Sequence, residues 1–196
     1  MTGTRLAPLE PGTFRTALPD LLEVYLAAMR YPPGTGEARA PLWADHSRRD
    51  GFRCVAAVDE DGSVAGLAYG YRGRPGQWWY SEVARGLEGD PQGWLADYFE
   101  LTELHVRPDR QGLGLGESLL RSLLGPVTTE SVLLSTPEGE NRAWRLYRRV
   151  GFRDVLRDFL FTGDGRRFGV LGRALPLDAQ VAPNTAVGPP VGPAAS

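Results

Sequence analysis

Gly112, Gly114 and Gly116 occupy alternate positions in HVRPDRQGLGLGESLLRSLL, just as an amphipathic helix begins. Glycine is a poor helix former, so three of them at a helix start imply another use for bare backbone. A strand, a glycine turn and a helix in this order leave consecutive N–H groups unshielded at the positive end of the helix dipole, which makes an anion site. The same turn serves equally well as a device for positive φ and for close packing of helix on sheet. Spacing narrows the anion. A dinucleotide fingerprint needs GxGxxG straight after its strand, whereas here GxGxG follows Val106 only after Arg107 to Gln111. A P-loop needs GK[ST], and the chain has no lysine at all. Every basic residue being arginine, phosphate would be met by guanidinium forks or by backbone amides.

The turn needs elements to hold it. FELTELHV, Phe99 to Val106, reads as a strand, and Leu115, Leu119, Leu120, Leu123 and Leu124 share one face of the helix after the turn. SVLLST predicts the next strand. Thr136 is placed to cap a further helix with Pro137 at its first position, and Ala143, Leu146, Tyr147 and Val150 form its stripe. Gly151 stops that helix, with Phe152 as the apolar latch beyond the cap. Strands near Phe152 to Phe161 and Arg167 to Leu175 follow. Upstream, Leu18 to Met29 has helical spacing with Pro19 in its first turn, and a weaker helix covers Glu37 to Arg49. FRCVAAV and VAGLAYGY, separated by DEDGS, predict an antiparallel hairpin. From Arg72 to Asp97 periodicity fades while Trp78, Trp79, Tyr80 and Trp94 gather. A helical excursion pinned by its tryptophans and a lid over a small ligand both fit that stretch.

Composition bounds the rest. With 196 residues, 42% apolar and 23% charged, one domain over residues 1–175 is expected, followed by a disordered Pro/Ala/Gly-rich tail over 176–196. A net charge of −2 gives no basic field for nucleic acid or an anionic membrane. No run suits a bilayer span and the N-terminus lacks a secretory pattern, so a cytoplasmic protein is expected. Cys54 is the only cysteine, which excludes an internal disulfide, and it sits in an apolar strand as a small hydrophobe. With His46 and His105 the only histidines, no metal is expected, and His105 reads as a packed or surface residue.

Gln111, Gly114 and Gly116 match the Gln/Arg-x-x-Gly-x-Gly/Ala signature of the GNAT superfamily of acetyl-CoA-dependent N-acetyltransferases, which this stretch resembles. VRPDRQG resembles the family's approach to that signature. ENRAWRLYRRVGF resembles its downstream Asn-x-x-Ala-x-x-Leu-Tyr-x-x-x-Gly-Phe segment, except that the family's asparagine falls on Glu140 and Asn141 stands one place later. The resemblance, sharpest from Leu104 to Phe152, implies an α/β (α+β) fold: a mixed, mostly antiparallel sheet with a splayed parallel strand pair, flanked by helices.

It also implies a site. Acetyl-CoA, the co-substrate, would lie where FELTELHV and SVLLST part. Its pyrophosphate would meet the amides of Gln111, Gly112, Leu113, Gly114, Leu115 and Gly116, its pantetheine arm would pair with backbone near Leu104 and Val106, and Asn141 would add a contact. Tyr147, at the family's motif tyrosine, would protonate the departing thiolate. A carboxylate beside the thioester, Glu103 ahead of Glu100, would deprotonate the amine. The two differ in parity, so a regular strand would turn only one into the cleft. A backbone N–H near Val106 would face the oxyanion. Glu82, Glu88, Asp90 and Asp97 would suit a cationic acceptor. The expected partner is a small-molecule primary amine, with a protein amine or a non-catalytic acyl-CoA sensor as alternatives and a homodimer left open.

Overall fold

Strand pairing and helix packing in the computed structural model, which describes residues 3–32, 34–90, 92–139 and 141–177, explain where the chain can open. Apart from its first two residues, the expected tail lies outside the described residues. In chain order the elements are β1 (Arg5–Pro8), α1 (Pro11–Thr16), α2 (Leu18–Met29), α3 (Thr35–His46), β2 (Arg53–Val58) and β3 (Val64–Arg72). Then come α4 (Trp78–Leu87), β4 (Tyr98–Val106), a 3₁₀ turn (Pro108–Arg110), α5 (Leu115–Leu124), β5 (Ser131–Pro137), α6 (Arg142–Arg149), β6 (Arg153–Leu160) and β7 (Arg167–Ala174).

The seven strands form one sheet in the order β1-β2-β3-β4-β5-β7-β6. Alternate residues of β2 enter different cores. Val55 and Ala57 pack with Leu119, Leu120, Leu123 and Leu124 of α5, whereas Cys54 and Ala56 pack with Phe14, Leu21, Tyr25 and Trp43 from the first three helices. A strand buried on both faces has no need of polar alternation, which is why FRCVAAV reads as a continuous apolar run. A third cluster joins Trp79 and Val83 of α4 to Leu133, Phe161 and Val170.

Every pairing is antiparallel except β4 with β5. That parallel contact consists of three pairs, Tyr98↔Ser131, Phe99↔Val132 and Glu100↔Leu133. Beyond them β4 stays on β3 as far as Val106, and β5 stays on β7 as far as Pro137. Each strand thus keeps one neighbour and loses the other, and the expected splay opens between them.

Two expectations need correction, and a choice between two readings is settled. Thr136 and Pro137 do not start a helix: they pair with Gly169 and Phe168, because an antiparallel partner is available along the full length of β5. The helix begins at Arg142, where Asn141 is the N-cap and its Oδ1 accepts the Trp144 N–H at 3.1 Å. Secondly, the aromatic excursion is pinned to the core rather than laid over a cleft. Trp79 is buried and its Nε1 donates to Ser135 Oγ at 3.1 Å, while Trp94 covers Gly172. Its acids serve the fold: Glu82 accepts from Thr162 N, Asp90 from Trp94 N and Leu95 N, and Asp97 pairs with Arg72.

Thirdly, β4 is not regular. Tyr69 faces Glu103 and Gly70 faces Leu101, which leaves Thr102 as the extra residue of a bulge. Glu103 therefore stands opposite Tyr69 and Glu100 opposite Tyr71, so both carboxylates project from the same face of the sheet. The parity argument fails because one inserted residue reverses it. The bulge leaves no room at Gly70, where a Cβ would come within 2.1 Å of the Glu100 carbonyl oxygen. Gly70→Ala is expected to cost about 1–3 kcal/mol or more, since strand backbone must move. Urea midpoints of the two proteins check this, and equal midpoints would mean that the bulge is not held there.

Candidate active site

At the glycine turn two of the three glycines are required by the backbone. Gly112 has φ +85° and Gly114, the N-cap of α5, has φ +80°, conformations that side chains resist. Nothing lies within 4 Å of a Cβ at either, so the space above them is open. Gly116 differs, because its φ is not positive and a Cβ there would rest 3.4 Å from Leu146 Cδ2, an ordinary contact. Among the described residues the amides of 112 to 116 donate to no protein acceptor. Gln111 is held by its side chain: Nε2 donates to Val106 O at 2.9 Å and Oε1 accepts from Arg142 at 2.9 Å.

These groups open on a cavity of about 420 Å³ between the end of β4, the turn, α5 and α6, with Leu104, Val106 and Leu115 in its walls. Arg110, Arg142, Arg145 and Arg149 line it against a single acid, Glu117, so its potential favours an anion. Leu113 and Asn141 lie outside this lining: Leu113 is 74% exposed, and the Asn141 side chain is engaged at its helix cap.

A second cavity, about 290 Å³, lies on the other side of the splay and shares Leu104, Val106, Gln111, Ala143 and Tyr147 with the first. Tyr147 thus stands where the two meet. Its side chain is buried, its hydroxyl has no partner among the described residues, and burial, reinforced by the negative charge of Glu103, raises its pKa. The phenol keeps its proton at neutral pH and can lend it.

Glu103 lines this second cavity, and its Oε2 lies 2.6 Å from His105 Nε2. The His105 ring in turn packs on Tyr25 at 5.1 Å. His105 had been assigned to packing or surface, yet the i, i+2 spacing from Glu103 puts both on one face after the bulge. A carboxylate that anchors one imidazole nitrogen leaves the other to accept a proton, so the pair can act as one base.

Glu100 does not line either of these cavities. It is 3% exposed, its Oε1 accepts the Tyr71 hydroxyl at 2.9 Å, and its Oε2 has no partner among the described residues. Burial pushes its pKa up to about 7, opposed by the Tyr71 hydrogen bond and Arg49. Behind it, His46 is driven down to about 4 chiefly by burial, so the ring is neutral, and its Nδ1 sits 3.1 Å from the Tyr69 hydroxyl. Cys54 is buried with its thiol pKa raised by that burial, as suits a small hydrophobe. Among the described residues no helix is long and apolar enough to cross a membrane.

Because the folded state raises the Glu100 pKa above its unfolded value of about 4.3, the fold favours the neutral acid. Stability should be greatest below pH 4.3 on this account, fall as pH rises through the window up to about 7, and level off above it. Glu100→Gln should flatten that fall; denaturant midpoints at pH 5 and pH 8 that change equally in both proteins would contradict it.

Comparison with known proteins agrees with this geometry. Residues 18–152 match the model of the acetyltransferase (GNAT) family. A GCN5-like protein acetyltransferase of Mycobacterium tuberculosis is 48% identical over 202 aligned positions, covering 88% of this chain and 98% of that protein. Among solved structures, the ribosomal-protein-S18-alanine N-acetyltransferase of Escherichia coli superposes with a TM-score of 0.60 at 18% identity, covering 88% of this chain and 94% of that one. The spermidine/spermine N-acetyltransferase of Vibrio cholerae gives 0.54 at 15% identity, with 88% and 95% covered. Those two share the fold; the family match and the near relative go further, and the chain belongs to the GNAT family of acetyltransferases.

Proposed function

We propose that this protein moves an acetyl group from acetyl-CoA directly to a primary amine, and that the amine is a lysine side chain of a protein. One observation carries the transfer chemistry: Tyr147, with an unpartnered hydroxyl and a raised pKa, stands between an anion-favouring cavity and a second cavity that holds Glu103 and His105. The protein acceptor rests on the near relative, whose name says that it acetylates protein.

The residues present fit the coenzyme. Five unengaged amides at the start of α5 would hold its pyrophosphate, helped by Arg142 and Arg145, and the edge of β4 freed beyond Glu100 would pair with its pantetheine arm. When bound, acetyl-CoA supplies the activated acetyl group. The chain does the rest: the Glu103–His105 pair takes the proton of the incoming ammonium, directly or through water, and Tyr147 returns one to the departing sulfur. Glu100, set behind the cavity, acts on Glu103 through charge rather than by contact with the amine.

A small-molecule amine, the acceptor expected from sequence, stays as the second reading. Arg166 donates to the Tyr31 hydroxyl at 3.0 Å, and both residues line the second cavity, whose volume of about 290 Å³ suits a single extended side chain. An extended lysine side chain satisfies that constraint, and so does a free amine. Thiol release from acetyl-CoA with lysine peptides on one side and small amines on the other separates the two, and mass spectrometry of the product locates the acetyl group.

Gly114→Val should keep the fold but lose acetyl-CoA binding, because it forces a branched side chain into positive φ above the amides, whereas Gly116→Ala should remain folded. A folded Gly114→Val protein that still saturates with acetyl-CoA would end the assignment of the turn. Tyr147→Phe should lower kcat by about 100-fold with little change in KM for acetyl-CoA, the size expected for a lost general acid. A kcat close to the wild-type value would remove Tyr147 from that role.

A further inference from the structure

The acceptor cavity contains a cation that neither the coenzyme nor the proton transfers require. Arg39, in the first half of α3, is half-buried and lines this cavity. The other arginine of the lining, Arg166, is held by Asp164, whose two oxygens both accept from its guanidinium. Arg39 has no carboxylate partner among the described residues, and the neighbouring Asp164 is already engaged with Arg166. Instead its Cζ lies 5.9 Å from the centre of the Tyr25 ring. Tyr25 has its phenol pushed up to about 12, first by burial, so it stays neutral and offers no counter-charge.

The arrangement is dipolar. Tyr25 packs on His105 at 5.1 Å and has the Arg39 Cζ 5.9 Å from its ring centre, so the base and the cation lie no farther apart than those two contacts together. Glu103 supplies a carboxylate and Arg39 a guanidinium to the lining of one cavity. Arg39 only shares the charge of Asp164, whose oxygens are bonded to Arg166, so a half-buried guanidinium is left able to take a carboxylate from a ligand, which its fork suits.

Resting on the transferase reading above, we propose that Arg39 binds a carboxylate carried by the acceptor close to its reacting amine. The preferred substrate is then a primary amine with a neighbouring acid: a lysine flanked by aspartate or glutamate in a protein, or a free diamino acid. Both sources share one chemistry, an amine for Glu103–His105 and a carboxylate for Arg39. Tyr31 and Met29 supply the apolar wall along which the methylene chain would lie.

Two matched pairs test this by thiol release from acetyl-CoA. The first is a lysine peptide with aspartate beside the lysine against the same peptide with asparagine; the second is L-lysine against 1,5-diaminopentane. The wild type is expected to favour the acid-bearing member of at least one pair by about tenfold in kcat/KM, mostly through KM, as a charge-assisted contact would. The pair that responds identifies the source. Arg39→Gln should bring the ratio close to one, and Arg39→Lys should restore part of it. Equal use of both members by the wild type, or a preference that survives Arg39→Gln, overturns the carboxylate subsite while leaving acetyl transfer intact. Thiol release from none of the four overturns the transferase reading and this inference with it.

Discussion

Three residue pairs hold β4 to β5, and the site exists because there are no more. Unpaired strand edges are normally a liability, since each leaves N–H and C=O groups without partners. Here the loss follows from competing pairings: β3 retains β4 up to Val106, β7 retains β5 up to Pro137, and the gap between them widens with the twist of the sheet. The helices stabilise the opening from both sides. Leu119, Leu120, Leu123 and Leu124 of α5 anchor the turn that carries the amides, and α6 brings Tyr147 to the mouth with Phe152 packed against its ring at 5.5 Å. The open edge is thus a rigid feature able to meet a ligand backbone.

The bulge at Thr102 gives the two carboxylates one face and two environments. Glu103, 15% exposed in its side chain, lies against His105 and faces the cavity. Glu100 is buried beside Tyr71, where the Tyr71 hydroxyl and the charge of Arg49 compensate it only in part. Position relative to solvent, not residue type, divides their labour. On the same side of the sheet His105 packs on Tyr25, and Tyr25 lies under Arg39, so aromatic packing links Glu103 and His105 to Arg39. Arginines gather around the glycine turn, whereas the second cavity is lined by the Glu103 carboxylate together with Arg39 and Arg166.

Much of this was legible in the chain because local and tertiary signals agreed. The stripe from Leu18 to Met29 is α2 with the same limits, and the leucines after Gly114 are the buried face of α5. The turn, the parallel pair and Tyr147 came from short motifs in the right order. Errors arose where tertiary structure overrode local chemistry. Thr136-Pro137 has the form of a helix start, but a waiting partner strand makes it the end of β5, and the true cap is Asn141. The bulge leaves no mark at Thr102 itself; the isolated glycine opposite it, Gly70, was the available sign, and it was read as part of a regular strand. His105 is packed on Tyr25, as its strand position allows, and its closeness to Glu103 depends on the face that the bulge sets. The short β1 and α1 carry too few residues to show a period, and the tryptophans of the excursion do not distinguish a core from a lid until Trp79 is seen bonded to Ser135.

On the reading proposed above, the amides of 112 to 116, together with the freed edge of β4, form an acetyl-CoA site. A thermal-shift titration with acetyl-CoA, CoA, NAD and ATP in parallel tests it without an acceptor. Ligand at about a hundred times its dissociation constant adds roughly 2.7 kcal/mol, which for a domain of this size raises the midpoint by about 5–10 °C. That shift is expected with acetyl-CoA and CoA and none with NAD or ATP. Folded protein whose midpoint moves with neither form of the coenzyme would contradict it, and would make the glycine turn a packing device on a sheet that opens for another reason.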